Sequence, residues 1–266
     1  MRAEIKRTFS SPLLYFTMFL FFICLQGYSF PSYYRQWLSD YCIPIEYRES
    51  ALTMTLGSIF FGGAILLLPF FASAVSAPQQ VDDQRYGIIE FALLRSSFRK
   101  YITAKCLCAF ISGFFIASIA FCLHAITWNI LTVPYDPIAY PEHGDIFMDG
   151  TLFSTWANIN HGILIYLSVF FGIGFTAGIW AVVGLATATW IPDKLLAVII
   201  PMCMYKLWNA SFFYYLFGIF LPDPSTLFND GQTLHEDIQA IIAYLVLFFG
   251  ATATFAIGVR KKVHHE

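Results

Sequence analysis

Long uncharged apolar runs recur along the 266-residue chain, and polar segments separate them. A membrane-spanning helix needs about 20 apolar residues at a rise of about 1.5 Å each. The pattern therefore predicts an all-α membrane protein, with 1–266 forming a single transmembrane domain. Six runs are long enough, in chain order 12–29, 51–76, 102–127, 160–185, 195–217 and 239–259.

The fourth run allows an alternative. No Asp, Glu, Lys or Arg occurs between Asp149 and Asp193, so two spans with a turn near Gly172–Gly174 would also fit. Charge favours one span, because six spans leave twelve of the 15 Lys and Arg residues on one side and Lys206 inside span five. Cytoplasmic loops carry the Lys and Arg excess. The pattern thus predicts a multi-pass protein of the plasma (cytoplasmic) membrane with both termini cytoplasmic.

Composition and motifs exclude several function classes. Hydrophobic residues make up 58% and charged residues 12%, and the net charge of −2 gives no indication of nucleic-acid binding. There is no G-x-x-x-x-G-K-[ST] phosphate loop and no H-E-x-x-H zinc motif. The histidines lack metal-ligand spacing, and His124 is expected at the membrane interface. We expect no catalytic residues, no bound cofactor and no metal in this chain.

The densest crowd of charge is the segment 81–105, between the second and third predicted spans. Charges of both signs mix with apolar residues up to residue 94, whereas only basic charges follow. The mixed part suits a protein partner, and the basic part suits lipid headgroups. We therefore predict a cytoplasmic docking segment at 78–94 and a headgroup-binding entry to span three at 95–105. A solvated interfacial loop is the alternative. The apolar stripe of the mixed part consists of Val81, Ile88, Ile89, Phe91 and Leu94.

Two further segments border the spans. The chain starts with the basic sequence "AEIKRTFSSPLLYF", in which Ile5 and Phe9 share a helix face, so 1–11 is predicted as an interfacial helix. The segment 218–238 mixes apolar residues with Pro222 and Pro224. It is too broken for a span, and we expect an outer or re-entrant segment there.

A few residues inside the spans are candidates for a translocation pathway or for helix packing. Lys206 would lie near the membrane midplane, where a lysine costs about 2.5–3.5 kcal/mol. One hypothesis is a pathway formed by a helix face that contains Lys206, Asn209, Met202 and Phe213. The alternative is a lysine that extends to the interface or makes an interhelical hydrogen bond. Gly174 and Gly178 form G-x-x-x-G, which permits close packing within the chain or between two chains.

The two cytoplasmic segments resemble the membrane subunit of ABC-2 type transporters. That family commonly begins with a basic, Glu-containing amphipathic helix, as in "EIKRTFSSP" here. After span two it carries an acidic residue, a Gly about four residues on, Leu-Leu, a small-residue and Arg turn, and a Lys that opens span three. The matching positions are Asp83, Gly87, Leu93–Leu94, "RSSFR" and Lys105. The family often has Glu where this chain has Asp, so the acidic match is by type.

The resemblance implies a half-transporter that works in the lipid bilayer. A second permease chain, identical or a sister, would pair with this one, and two copies of a separate ATPase would bind ATP and Mg. The cargo would be exported, and the aromatic richness favours a hydrophobic or amphipathic one. A passive channel, an ion-coupled carrier and a non-transporting anchor or sensory subunit remain alternatives. The ATPase would dock on Asp82, Asp83, Arg85, Tyr86, Gly87, Glu90 and Leu94.

Overall fold

The computed structural model describes residues 2–39, 50–60, 64–133, 135–136, 162–209 and 234–264. Regular structure in these ranges is helical throughout, and the β-type contact found there is an isolated bridge between Ser50 and Val133. The all-α prediction is confirmed. In chain order the helices are α1 (Arg2–Phe9), α2 (Pro12–Ser39), α3 (Ala51–Phe60), α4 (Ala64–Arg85), α5 (Ile88–Arg95), α6 (Phe98–Leu131), α7 (Ile163–Trp190), α8 (Lys194–Asn209) and α9 (Leu234–His264).

Five helices in the described ranges are long and apolar enough to cross a membrane, namely α2, α4, α6, α7 and α9. Within the predicted second span, 51–76, α3 ends at Phe60 and α4 starts at Ala64. The predicted fifth span corresponds to α8, whose 16 residues end at Asn209. Residues 210–217 lie outside the described ranges, so span five, and with it the total of six spans, stays a prediction. The predicted re-entrant segment also lies outside them, apart from 234–238, which begin α9.

Helix α7 forms the centre of the bundle. It runs without interruption through Gly172–Gly174, so the prediction of one continuous helix is confirmed and a turn there is wrong. In the most apolar 18-residue stretch of α7, 78% of the residues are buried inside the protein. The corresponding fractions are 29% in α2 and 22% in α9. A helix that is apolar on every face belongs in such a centre.

Small residues bring α6 and α7 close together. A Cβ atom added at Gly178 would lie 2.7 Å from the Phe110 ring, and one at Gly113 would lie 2.6 Å from the Ala177 carbonyl oxygen. Gly174 likewise faces α6. Both glycines of the G-x-x-x-G motif therefore contact a helix of the same chain. The close approach replaces lipid contacts with packing between helices.

Hydroxyl groups supply polar links between the helices. Pro201 has no N–H, so the Ala197 carbonyl loses its ordinary helical donor. The Thr187 hydroxyl, on α7, lies 3.0 Å from that carbonyl and 2.9 Å from the Gly184 carbonyl of its own helix, so its proton can go to either. Ser76 donates from α4 to the Ala181 carbonyl of α7 at 3.0 Å. The carbonyl freed by Pro201 thus has a hydroxyl within hydrogen-bond distance.

Candidate functional site

Charged side chains from several helices meet at one end of the bundle. The centre of this group is Asp83, whose side chain is fully buried near the end of α4. Its carboxylate accepts a hydrogen bond from Arg7 of α1 at 2.5 Å and another from Lys105 of α6. The Lys105 ammonium also pairs with Glu4 of α1 at 3.0 Å. These four residues, Glu4, Arg7, Asp83 and Lys105, form what we call the ion cluster.

The ion cluster is electrically balanced, with two acidic and two basic groups. Lys105 is 5% exposed and Asp83 0%, so neither charge is solvated by water. An isolated buried charge costs several kcal/mol, and a partner must offset that cost. Burial lowers the pKa of Arg7, but its hydrogen bond to Asp83 and the charges of Asp83, Glu4 and Asp82 outweigh this and raise it above its ordinary value. The guanidinium therefore stays charged and holds α1 on the bundle.

The residues on either side of Asp83 contact other helices. Asp82 pairs with Lys194 at the start of α8, with a nitrogen–oxygen distance of 2.7 Å. The Gln84 side chain accepts a hydrogen bond from Lys262 of α9 at 2.5 Å. Its amide nitrogen donates to a carbonyl at the end of α7 at 3.2 Å. Three consecutive residues of α4 thus bind five other helices, and we call this region the charged end.

Helix α5 lies at the charged end. In chain order it stands between the membrane-length helices α4 and α6. Gly87 separates it from α4 with a φ of 65°, a left-handed conformation that favours glycine. Ile89 is buried and anchors α5, whereas Tyr86, Phe91 and Leu94 are 68%, 66% and 85% exposed. We call these three side chains the α5 face. Grouped exposed apolar residues of this kind mark interaction surfaces.

The predicted docking residues divide into two sets. Asp83 is buried in the ion cluster, so its side chain cannot contact a separate protein, and Asp82 is partly buried against Lys194. The other docking candidates lie at the bend after α4 or on α5, and four of them are exposed. These four are Arg85, Tyr86, Glu90 and Leu94. Docking itself stays a prediction, and the geometry limits it to the bend and α5.

Two of the four predicted pathway side chains, those of Met202 and Lys206, lie in the described part of the chain, one helical turn apart on α8. Lys206 is exposed on α8, while its neighbour Tyr205 is buried and packs edge-on against Trp180 of α7, 5.4 Å between ring centroids. Met202 is half-buried. Asn209 ends α8, with its side chain outside the described part, and Phe213 is also outside it. A pathway at these positions stays a prediction.

His124 is fully buried in the bundle, with Nε2 2.7 Å from the Ser58 hydroxyl of α3. Its location at the depth of the membrane interface stays a prediction. The Ser58 hydroxyl also lies 2.8 Å from the Thr55 carbonyl. The Ser58 proton can go either to that carbonyl or to the imidazole, depending on the His124 tautomer. The pair links α3 to α6.

Sequence reasoning missed the partners of Asp83. A signal was present, since Asp83 ends one apolar helix and Lys105 begins the next with the opposite charge. The Glu4 and Arg7 contacts had no comparable signal, because the docking position of α1 depends on tertiary packing. Among the described residues no group of three or more His, Cys, Asp or Glu could hold a metal ion.

The five long apolar helices and the charge collected at one end are consistent with a multi-pass α-helical membrane protein. No protein-family model, curated protein or solved structure matches the chain. The functional argument therefore depends on the geometry of the charged end and α5.

Proposed function

We propose that this chain is the transmembrane subunit of an ABC-2 type transporter and that a separate ATPase binds its α5 face. The observation that carries the proposal is α5 itself, a short helix that follows α4 and precedes α6 in the chain, together with the exposed apolar side chains of Phe91 and Leu94 on it and of Tyr86 just before it. A segment that only contacted water would gain nothing by exposing Phe91 and Leu94. A protein partner would bury them, at about 1.5–3 kcal/mol for each fully buried side chain.

The charged end gives α5 a mechanical connection to the membrane helices. Two residues, Tyr86 and the left-handed Gly87, join α5 to α4. Helix α4 is hydrogen-bonded near its end to α1, α6, α7, α8 and α9. Movement of α5 would therefore act on helix ends all around the bundle. In the proposed transporter the partner ATPase binds ATP and Mg, and closure of two ATPase copies moves the α5 helices of two permease chains.

The proposal includes orientation and direction. The charged end faces the cytoplasm, with both termini on that side, because its Lys and Arg residues follow the positive-inside rule. A second permease chain, identical or a sister, completes the pathway. The transported compound is a hydrophobic or amphipathic molecule that leaves the cell, since apolar and aromatic side chains dominate the membrane-length helices.

The proposal is tested by purifying the tagged full-length chain in mild detergent and identifying any stoichiometric partner by mass spectrometry. A partner with a phosphate-binding loop and ATPase activity is the expected result. Phe91→Glu and Leu94→Glu should abolish its binding. Leu195→Glu is the matched control, because Leu195 is 65% exposed at the same end but lies on α8.

Two results would refute the proposal. The first is transport by the pure chain in vesicles with no ATPase present, which would favour a channel or an ion-coupled carrier. The second is equal loss of ATPase binding in all three variants, since the effect would then follow from added charge at this end and not from the α5 face.

A further inference from the structure

An apolar groove of about 410 Å³ opens between α6 and α9. Phe175 of α7 contributes to its lining. On α6 it extends from Ile102 to Phe110, about 12 Å at helical rise, which is most of one leaflet of a hydrocarbon core about 30 Å thick. The groove therefore has the length of a leaflet and opens on the faces of two membrane-length helices.

The walls of the groove offer little to a polar ligand. Its two hydroxyl groups, on Thr103 and Thr252, each donate to a carbonyl of their own helix at 2.9 Å. Phe110 packs edge-on against Phe175 and Phe248, with ring centroids 5.6 and 5.9 Å apart. Because both hydroxyl groups already donate within their own helices, the walls of the groove suit a hydrocarbon chain.

Basic side chains continue the groove toward the charged end. Arg99 precedes Phe110 by eleven residues, and Arg260 follows Phe249 by eleven residues. Eleven residues are close to three helical turns, so each arginine shares a face with a groove phenylalanine. Both arginines are exposed, and among the described residues neither guanidinium has a hydrogen bond or an ion pair.

The two arginines lie at the same end of the bundle. Lys105 places the start of α6 beside the end of α4, and Lys262 places the end of α9 there as well. Arg99 lies about 4.5 Å along the helix axis from Ile102, and Arg260 lies about 12 Å beyond Thr252. A headgroup layer flanks the hydrocarbon core at this depth.

We propose that this groove is a specific site for an anionic phospholipid. One acyl chain lies between α6 and α9, and the phosphate-containing headgroup pairs with Arg99 and, at longer reach, with Arg260. Charge complementarity favours this occupant. The apolar groove suits an acyl chain, and Arg99 and Arg260, which make no ion pair among the described residues, lie at the depth of the headgroups. A second copy of the chain would need carboxylates at that level to match them. The site does not depend on the proposed transport function.

Native mass spectrometry of the full-length chain tests the proposal, with phosphatidylglycerol and phosphatidylcholine as the two probes. Wild type should retain one phosphatidylglycerol after the loosely bound lipids are removed. Near a membrane each basic residue changes anionic-lipid affinity about fivefold, so R99Q/R260Q should lower the preference for phosphatidylglycerol about twenty- to thirtyfold. Leu245→Trp, which fills the groove, should remove the retained lipid of either type.

Matched controls separate this site from general lipid contact. Lys6→Gln removes one exposed positive charge from α1, and Leu123→Trp enlarges an exposed leucine of α6 outside the groove. Both should retain the lipid as wild type does. Equal retention of the two lipids by wild type would overturn the proposal. So would a Leu245→Trp variant that keeps its lipid, or one that instead dissociates a dimer, since a second copy would then fill the groove.

Discussion

The buried charge of the ion cluster can be tested by replacing Lys105 with methionine. The substitution keeps the length of the side chain but leaves Asp83 and Glu4 to share Arg7, so the balanced cluster gains one uncompensated negative charge. Removing one partner from a buried ion pair costs about 3–5 kcal/mol. Coulomb's law gives a similar value, about 4 kcal/mol for unit charges 4 Å apart at an effective dielectric constant of 20.

The free energy of unfolding can be measured in mixed micelles by titration with a denaturing detergent, followed by tryptophan fluorescence. Lys194→Met is the matched control at the same end. The Lys194 and Asp82 side chains are 48% and 29% exposed, and such exposed pairs contribute about 0–1 kcal/mol. We expect Lys105→Met to destabilise the protein by about 3 kcal/mol more than Lys194→Met.

A double-mutant cycle makes the test stricter. Asp83→Asn alone leaves a net positive charge in the cluster, whereas Asp83→Asn with Lys105→Met restores neutrality through Glu4 and Arg7. The double variant should therefore be at least about 2 kcal/mol more stable than the sum of the single losses. Additive losses, or equal losses for the two lysine variants, would refute the account of Asp83 as a buried, compensated charge.

Two further predictions concern packing and use the same unfolding measurement. Gly178→Ala should destabilise by about 1–3 kcal/mol, because its Cβ would press on the Phe110 ring. Gly250→Ala, with no atom within 4 Å, should instead stabilise by about 0.5–1 kcal/mol, and the same sign for both would contradict the packing argument. Thr187→Val should cost about 1–3 kcal/mol by leaving the carbonyl freed by Pro201 without a donor. Adding Pro201→Ala should recover most of that loss, and no recovery would exclude this cause.

The helices could be predicted from sequence because the bilayer requires every backbone group to be paired within its own segment. Uncharged runs of sufficient length therefore predicted the positions of α2, α6, α7 and α9 along the chain. The end of α3 at Phe60 and the start of α4 at Ala64 were missed within 51–76, because the whole run is apolar and hydropathy alone does not give the ends of helices. For the same reason the continuation of α4 to Arg85 was read as a separate segment.

The functional residues were harder to predict because adjacent residues of a helix point in different directions. Asp82 and Asp83 were given one role, yet successive side chains differ by about 100° around the axis. Asp82 therefore meets α8 near the surface, while Asp83 turns inward to α1 and α6. The sequence contains both charges but not the arrangement of neighbouring helices, which decides where each one points.

The ion cluster also constrains the order in which the protein can be completed during synthesis. Arg7 leaves the ribosome 76 residues before Asp83, a delay of about 4 to 15 seconds at typical translation rates of about 5–20 residues per second. Until then α1 has no buried carboxylate to bind and must wait at the membrane surface. Gln84 must wait longer, because Lys262 follows it by 178 residues. Assembly of the charged end therefore starts with α1 and α4 and is completed only when α9 has been made.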